Sequence, residues 1–230
     1  MENRMQTNRW SRRSVLTTTL TLGAAALMPR AFAQGGPVLD RDYKLITPAQ
    51  SPSTGGKVEV IEFFSYACPR CAEFEAPLQG WLRKKPSDVS FRAVPVIFRE
   101  SWAPLAKLYF ALETMGHLGK VHGKVFHAMH GSEAIDLSDP DKLFPWIAKQ
   151  GVDQAKFKEM YNSFGMDAKI SGYKKAAIDH QVKFTPVVAI NGKYLTGPSM
   201  VREQGRFFQV VDALIAQERA KLAKPAPKPK

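Results

Sequence analysis

Val58-Glu-Val-Ile-Glu-Phe-Phe-Ser-Tyr-Ala-Cys-Pro-Arg-Cys-Ala-Glu-Phe-Glu75 sets the architecture of this 230-residue chain. Its first seven residues are β-branched, aromatic or apolar apart from two glutamates, and they read as a buried strand. Cys68-Pro69-Arg70-Cys71 follows, and then Phe74, Leu78, Trp81 and Leu82 recur at a helical period. The two thiols therefore fall where a strand ends and a helix begins. Pro69 suits the first helical position, because its fixed φ is already helical and its missing N–H has no partner there in any helix. A thiolate at that place meets unpaired backbone N–H groups and the positive end of the helix dipole, so its charged form is favoured. The Arg70 guanidinium is expected to add a full positive charge. Cys68 is expected as the exposed attacking sulfur, and Cys71, one turn on, as the thiol that resolves a mixed disulfide. These are the parts of a dithiol–disulfide exchange centre. A purely structural bridge would close a loop too short to recover much chain entropy. A zinc site would need two further ligands, and the chain has no third cysteine.

Outward from this stretch, the strand at 58–64 and a helix at 69–85 lead to a second strand at 89–98. One helical crossover between them implies parallel neighbours in a single sheet. Pro77 lies within the helix and is expected to kink it. From 99 to about 178 the periodicity is helical, with helices expected at 102–115, 118–129, 143–149, 154–164 and 166–180. Sheet signals return at Thr185-Pro186-Val187-Val188-Ala189-Ile190-Asn191-Gly192-Lys193-Tyr194-Leu195, where Asn-Gly between two apolar runs marks a hairpin. A last amphipathic helix is expected over 200–222, and a short edge strand over 42–46. The predicted class is α/β, with an all-helical insertion at 99–178 dividing a sheet domain into 34–98 and 179–222.

The ends read differently. Arg4, Arg9, Arg12 and Arg13 precede a small apolar run from Ser14 to Met28, and Ala31-Phe32-Ala33 forms a cleavage pattern before Gln34. Residues 1–33 are therefore expected to be a cleavable export signal, and the mature protein to be periplasmic. Arg12-Arg13 within 11–16 also fits a twin-arginine route. Removing five arginines and one glutamate lowers the formal charge from +12 to about +8. The Pro/Lys tail at 223–230 reads as a solvated extension. No stripe of alternating cations and aromatics accompanies the positive charge, so nucleic acid is not expected as a partner.

The order strand, Cys-x-x-Cys helix, strand, helical block, Thr-Pro hairpin and final helix resembles the thioredoxin fold. The helical block and the Glu-Phe-Phe-Ser-Tyr-x-Cys-Pro-x-Cys lead-in resemble the DsbA family of exported thiol–disulfide oxidases, over about residues 42–220. The resemblance implies that Cys68 is the nucleophile, Cys71 its buried partner, and Pro69 and Arg70 the dipeptide that sets the redox balance. It implies that Thr185-Pro186 is a cis-proline loop lying against the motif, offering backbone groups to a substrate strand. By the same likeness Glu62 is a semi-buried proton acceptor for Cys71, and Glu75 a second acid near it. Arg70 departs from the histidine usual there, and Arg92 is the nearest cation where a lysine often accompanies the buried acid. No cofactor beyond the Cys68–Cys71 disulfide and no metal is implied. The implied partners are unfolded exported polypeptides, held in an apolar groove, and a membrane quinone-linked reoxidase. The protein is expected to be a monomer.

Other functions remain open to this sequence. A disulfide isomerase of the same fold usually carries a preceding dimerisation domain, and about 24 residues separate Gln34 from Val58. A reductase would lack the helical block, and a non-catalytic chaperone would tolerate loss of one cysteine. Phe63 and Phe64 are expected in packing, and Tyr66 partly exposed beside the substrate. His117, His122, His127 and His130 read as ordinary surface or packing histidines with no acid beside them.

Overall fold

A computed structural model of the chain describes residues 36–201 and 205–222. The expected export signal at 1–33 and the tail at 223–230 lie outside the described residues. Strand β2 (Val58–Phe64) is buried along its whole length. Such a strand must be covered on both faces, which explains its nearly unbroken apolar run. Residues alternate between the two layers. Val58 and Val60 pack with Phe74, Leu78 and Trp81 of α1 (Pro69–Leu82) and with Val210, Val211 and Leu214 of α7 (Phe207–Leu222). Ile61 and Phe63 belong to a larger cluster shared with the helical block.

On one side β2 pairs in parallel with β3 (Val89–Pro95), and on the other antiparallel with β4 (Val187–Ile190). Beyond β4 lie β5 (Tyr194–Thr196) and β1 (Lys44–Leu45), giving one sheet of order β1-β5-β4-β2-β3. Strand β3 stops short of the expected residue 98. Val96 donates its last sheet bond to the Phe64 carbonyl, 2.7 Å away, and beyond that point β2 has turned into the cysteine motif. The Asn-Gly hairpin forms as expected, with φ of 50° at Asn191 and 65° at Gly192. Both values suit the type I′ turn that matches sheet twist. Only glycine fits the second position, because a Cβ there would collide with the Gln50 backbone carbonyl.

Helices α2 (Ala103–Thr114), α3 (Leu118–His130), α4 (Pro140–Lys149), α5 (Gln154–Tyr161) and α6 (Gly165–Asp179) fill the span between β3 and β4. This is the expected helical insertion. Asp139 and Asp153 cap α4 and α5 by accepting from the N–H groups of Asp141 and Lys156, at 2.9 and 3.0 Å. Helix α7 starts at Phe207, later than the pattern suggested, because Gly205 precedes it with φ of 86°, outside the helical region. Pro77 sits inside a continuous α1.

Candidate active site

Cys68 is the N-cap of α1 and Pro69 its first residue. The loop before it is tied down by Ser65, whose carbonyl accepts from the Cys68 N–H at 3.0 Å and whose hydroxyl accepts from Ala67 N–H at 3.1 Å. Both cysteines are thiols here; Cys68 is half-buried and Cys71 buried. The peptide bond between Thr185 and Pro186 is cis. Its loop lies against the motif as the resemblance implied, with the Cys68 thiol donating to the Thr185 carbonyl at 3.6 Å.

The two sulfurs are pulled apart in acidity. The hydrogen bond from the Cys71 thiol lowers Cys68 most, and the Thr185 side chain and the N–H groups of Cys71 and Arg70 add to it against burial. Together they hold Cys68 at about 5. The same thiol pairing, followed by burial, pushes Cys71 well above the ordinary thiol range. One sulfur is therefore the anion at neutral pH and the other keeps the proton.

Arg70 acts differently from the expectation. Its guanidinium is 81% exposed and sits 3.6 Å from the Glu73 carboxylate, so solvent and Glu73 screen its charge. What it gives Cys68 is its backbone N–H.

Glu62, in the middle of β2, is 2% exposed. Burial, and then the nearby Glu75, push its carboxyl up to about 8. Both acids line a cavity of about 290 Å3 between α1, β3, α2 and α3, which also receives Arg92, Tyr109, Glu113 and His122. Arg92 does not neutralise Glu62. It pairs with Glu59, its Nε 3.2 Å from Oε1.

Tyr66 is a correction. It is 1% exposed, packed among Phe64, Tyr109, His122 and Phe126, and cannot meet a substrate. The loop turns its ring inward because two histidines of α3 hold it. The hydroxyl lies 2.6 Å from His122 Nδ1, and the Tyr66 carbonyl 2.7 Å from His130 Nε2. His122 also has an acid beside it after all, its Nε2 3.4 Å from Glu75 Oε2. No local spacing joins residue 122 to residues 66 and 75; the contact exists only once α3 has docked on α1. A groove of about 480 Å3 runs between the same two helices from Pro69 past Ala76 and Phe126. Its lining is mostly apolar, with Glu73, His127 and His130 adding polar groups.

This fold and site define a class, the thioredoxin-like proteins, and the sequence pattern of the family described as Thioredoxin matches residues 53–209. Within that class the similarity is to a narrower group. The thiol:disulfide interchange protein DsbA of Burkholderia cepacia is 36% identical over 206 residues, 89% of this chain and 96% of that protein. That of Pseudomonas syringae is 35% identical over the same shares. The crystal structure of Pseudomonas aeruginosa DsbA superposes with a TM-score of 0.76 at 34% identity, covering 80% of this chain and 95% of that one. For the DsbA of Xylella fastidiosa the TM-score is 0.74, the identity 29% and the coverage 80% and 98%. The chain belongs to the DsbA family of thiol:disulfide oxidoreductases.

Proposed function

We propose that the chain is a periplasmic dithiol oxidase that donates a Cys68–Cys71 disulfide to unfolded exported polypeptides. The observation that carries this reading is the opposed acidity of the two sulfurs, with the anionic one half-exposed beside the cis Thr185-Pro186 loop. A substrate thiolate attacks Cys68 Sγ, the Cys68–Cys71 bond breaks, and Cys71 leaves with the electron pair and takes up a proton. A second substrate thiolate then attacks the substrate sulfur of the mixed disulfide and expels Cys68 as a thiolate. Two electrons pass to the enzyme and one disulfide forms in the substrate. The low proton affinity of Cys68 makes it a good leaving group and stabilises the reduced state, which is what makes the disulfide oxidising.

In reoxidation Glu62 accepts the Cys71 proton, with Glu75 tuning it, and the Thr185-Pro186 loop pairs with the substrate backbone across Cys68. The reoxidant is a membrane quinone-linked partner, and residues 1–33 direct export. Trapping distinguishes these roles. Cys71→Ala, given oxidised glutathione, should stop at a Cys68–glutathione mixed disulfide with one glutathione thiol released, whereas Cys68→Ser should neither form that mixed disulfide nor oxidise a peptide dithiol. Exchange persisting in Cys68→Ser would remove Cys68 from the mechanism. A reduction potential against glutathione close to that of a general reductase would replace the oxidase reading with the reductase one.

A further inference from the structure

His122 is held at both ends of its imidazole. Tyr66, buried, keeps its hydroxyl proton far above neutral pH because desolvation, followed by the nearby tyrosine and carboxylates, opposes its anion. Its O–H therefore donates to Nδ1 across 2.6 Å. That leaves the imidazole hydrogen on Nε2, the nitrogen facing Glu75 at 3.4 Å. The rings of Phe64, Tyr66, Tyr109 and Phe126, with centroids 5.2 to 6.0 Å away, fix its plane. The result is a line of donors, Tyr66 to His122 to Glu75, that ends on the carboxylate facing Glu62 across the cavity.

We propose that His122 is a positioning residue of the exchange centre, which fixes the Glu75 carboxylate opposite Glu62 and thereby sets the pH at which Glu62 takes the Cys71 proton. The proposal rests on the role given to Glu62 above. The titratable and charged groups around Glu62 are Tyr66 on the loop after β2, Glu75 on α1, Arg92 on β3, Tyr109 and Glu113 on α2, and His122 on α3. Arg92 is engaged by Glu59 and Tyr109 shares its hydroxyl between the Ala93 carbonyl and Glu113, at 3.3 and 3.5 Å. Glu75 is the charge that acts on Glu62. A Glu75 deprived of its donor is free to turn its side chain toward water at the cavity mouth. Its repulsion of an ionised Glu62 then weakens, and Glu62 gives up its proton at lower pH.

The test follows the reduced protein as oxidised glutathione converts it to the disulfide. Cys68 attacks glutathione disulfide and releases one glutathione thiolate. Cys71, its proton taken by Glu62, then attacks Cys68 Sγ and releases the second. The rate of this closing step is measured against pH. His122→Ala should move the midpoint of the profile down by about half to one pH unit. His122→Gln, whose amide can still donate to Glu75, should return it toward the wild-type position. Glu75→Gln should reproduce the shift, and the His122→Ala/Glu75→Gln pair should shift it no further than either alone. A His122→Ala profile superimposed on the wild type, with only the melting temperature lowered, would show a packing residue and overturn the proposal. Glu62→Gln separates the two readings. If it leaves the profile unchanged, the role of Glu62 falls and the proposal with it. If it abolishes the midpoint while His122→Ala does not move it, the positioning role alone falls.

Discussion

Glu62 on β2 and Glu218 on α7 are both withdrawn from water, 2% and 0% exposed, yet the protein treats them in opposite ways. Glu218 accepts from Asn191 Nδ2 at 2.8 Å, Lys193 Nζ at 2.6 Å, Tyr194 Oη at 3.1 Å and Lys221 Nζ at 2.8 Å. Burial pushes its acidity the other way, but these donors more than offset it and hold the carboxyl at about 2. Glu62 has no such donor among the described residues, and its neighbour is another acid. Asp42 and Glu59, also buried, are bonded by Arg41 and Arg92. So this fold has the means to satisfy a buried carboxylate, and among the described residues it applies them to Asp42, Glu59 and Glu218 but not to Glu62. An unsatisfied acid that costs stability at neutral pH fits the proton-transfer role proposed for Glu62.

The contrast predicts pH slopes of opposite sign. Glu62 has a folded value of about 8 against 4.5 for the free side chain, so the folded state binds the extra proton between those limits. Its stabilising contribution is complete below pH 4.5 and is lost as pH rises through 8. Glu62→Gln should therefore leave stability nearly unchanged at pH 4.5 and raise it by several kcal/mol above pH 8, measured by urea denaturation. A gain independent of pH would mean that Glu62 is not held protonated. Glu218 runs the other way: its contribution is complete above pH 4.5 and is lost as pH falls toward 2. Glu218→Ala should destabilise the protein by about 2–3 kcal/mol at neutral pH without altering thiol exchange. The loss stays moderate because Lys193 and Lys221 are partly exposed and can turn to water, while Asn191 and Tyr194 cannot.

Cys68 belongs with Glu218 in this comparison, as an anion the fold has supplied with donors. Its folded value of about 5 lies below the ordinary 9, so the thiolate stabilises the reduced protein fully above pH 9 and ceases to as pH falls through 5. The disulfide form has no thiolate to stabilise. Reduced protein should therefore outlast oxidised protein in denaturant by about 2 kcal/mol at pH 7, the gap closing toward pH 5. Equal stabilities at pH 7 would remove the basis for calling the disulfide oxidising.

These asymmetries were legible in the sequence to different depths. Glu62 stood out because a charge inside an otherwise apolar strand has little solvent to face and because the family resemblance implied an acid there; Glu59, in the same strand, is equally buried but paired with Arg92. The hairpin was legible from Asn191-Gly192 because φ above zero at two successive positions has few solutions. Glu218 was not legible: its donors come from the hairpin and from its own helix, and a glutamate among Gln217 and Arg219 looks like a solvated face. Tyr66 was misread for the same reason as His122. An aromatic residue next to a catalytic cysteine suggests a substrate contact, and only the docking of α3 reveals that its hydroxyl has an internal partner. Contacts within a strand, a turn or one helical turn, such as the donors that Cys71 and Arg70 give Cys68, were written locally, whereas the contacts of Glu218 with the hairpin and of His122 with Tyr66 and Glu75 join elements whose relative placement no local pattern fixes.

Arg70 gives the smallest and most discriminating test. A cation beside a cysteine invites the reading that its charge depresses the thiol, yet the guanidinium reaches toward Glu73 and water, and exposed pairs of that kind contribute at most about 1 kcal/mol. Arg70→Ala keeps the backbone N–H that faces the sulfur, so the Cys68 midpoint, followed by thiolate ultraviolet absorbance, should move by less than about 0.3 pH unit. Arg70→Pro removes that N–H while remaining compatible with the first turn of α1, where proline already stands at residue 69. It should raise the Cys68 midpoint by more than Arg70→Ala does, because a lost hydrogen bond to an anion outweighs a screened charge. The reverse order, with alanine the more damaging substitution, would return the control of Cys68 to the side chain and break the distinction between groups held by donors and groups merely near a charge.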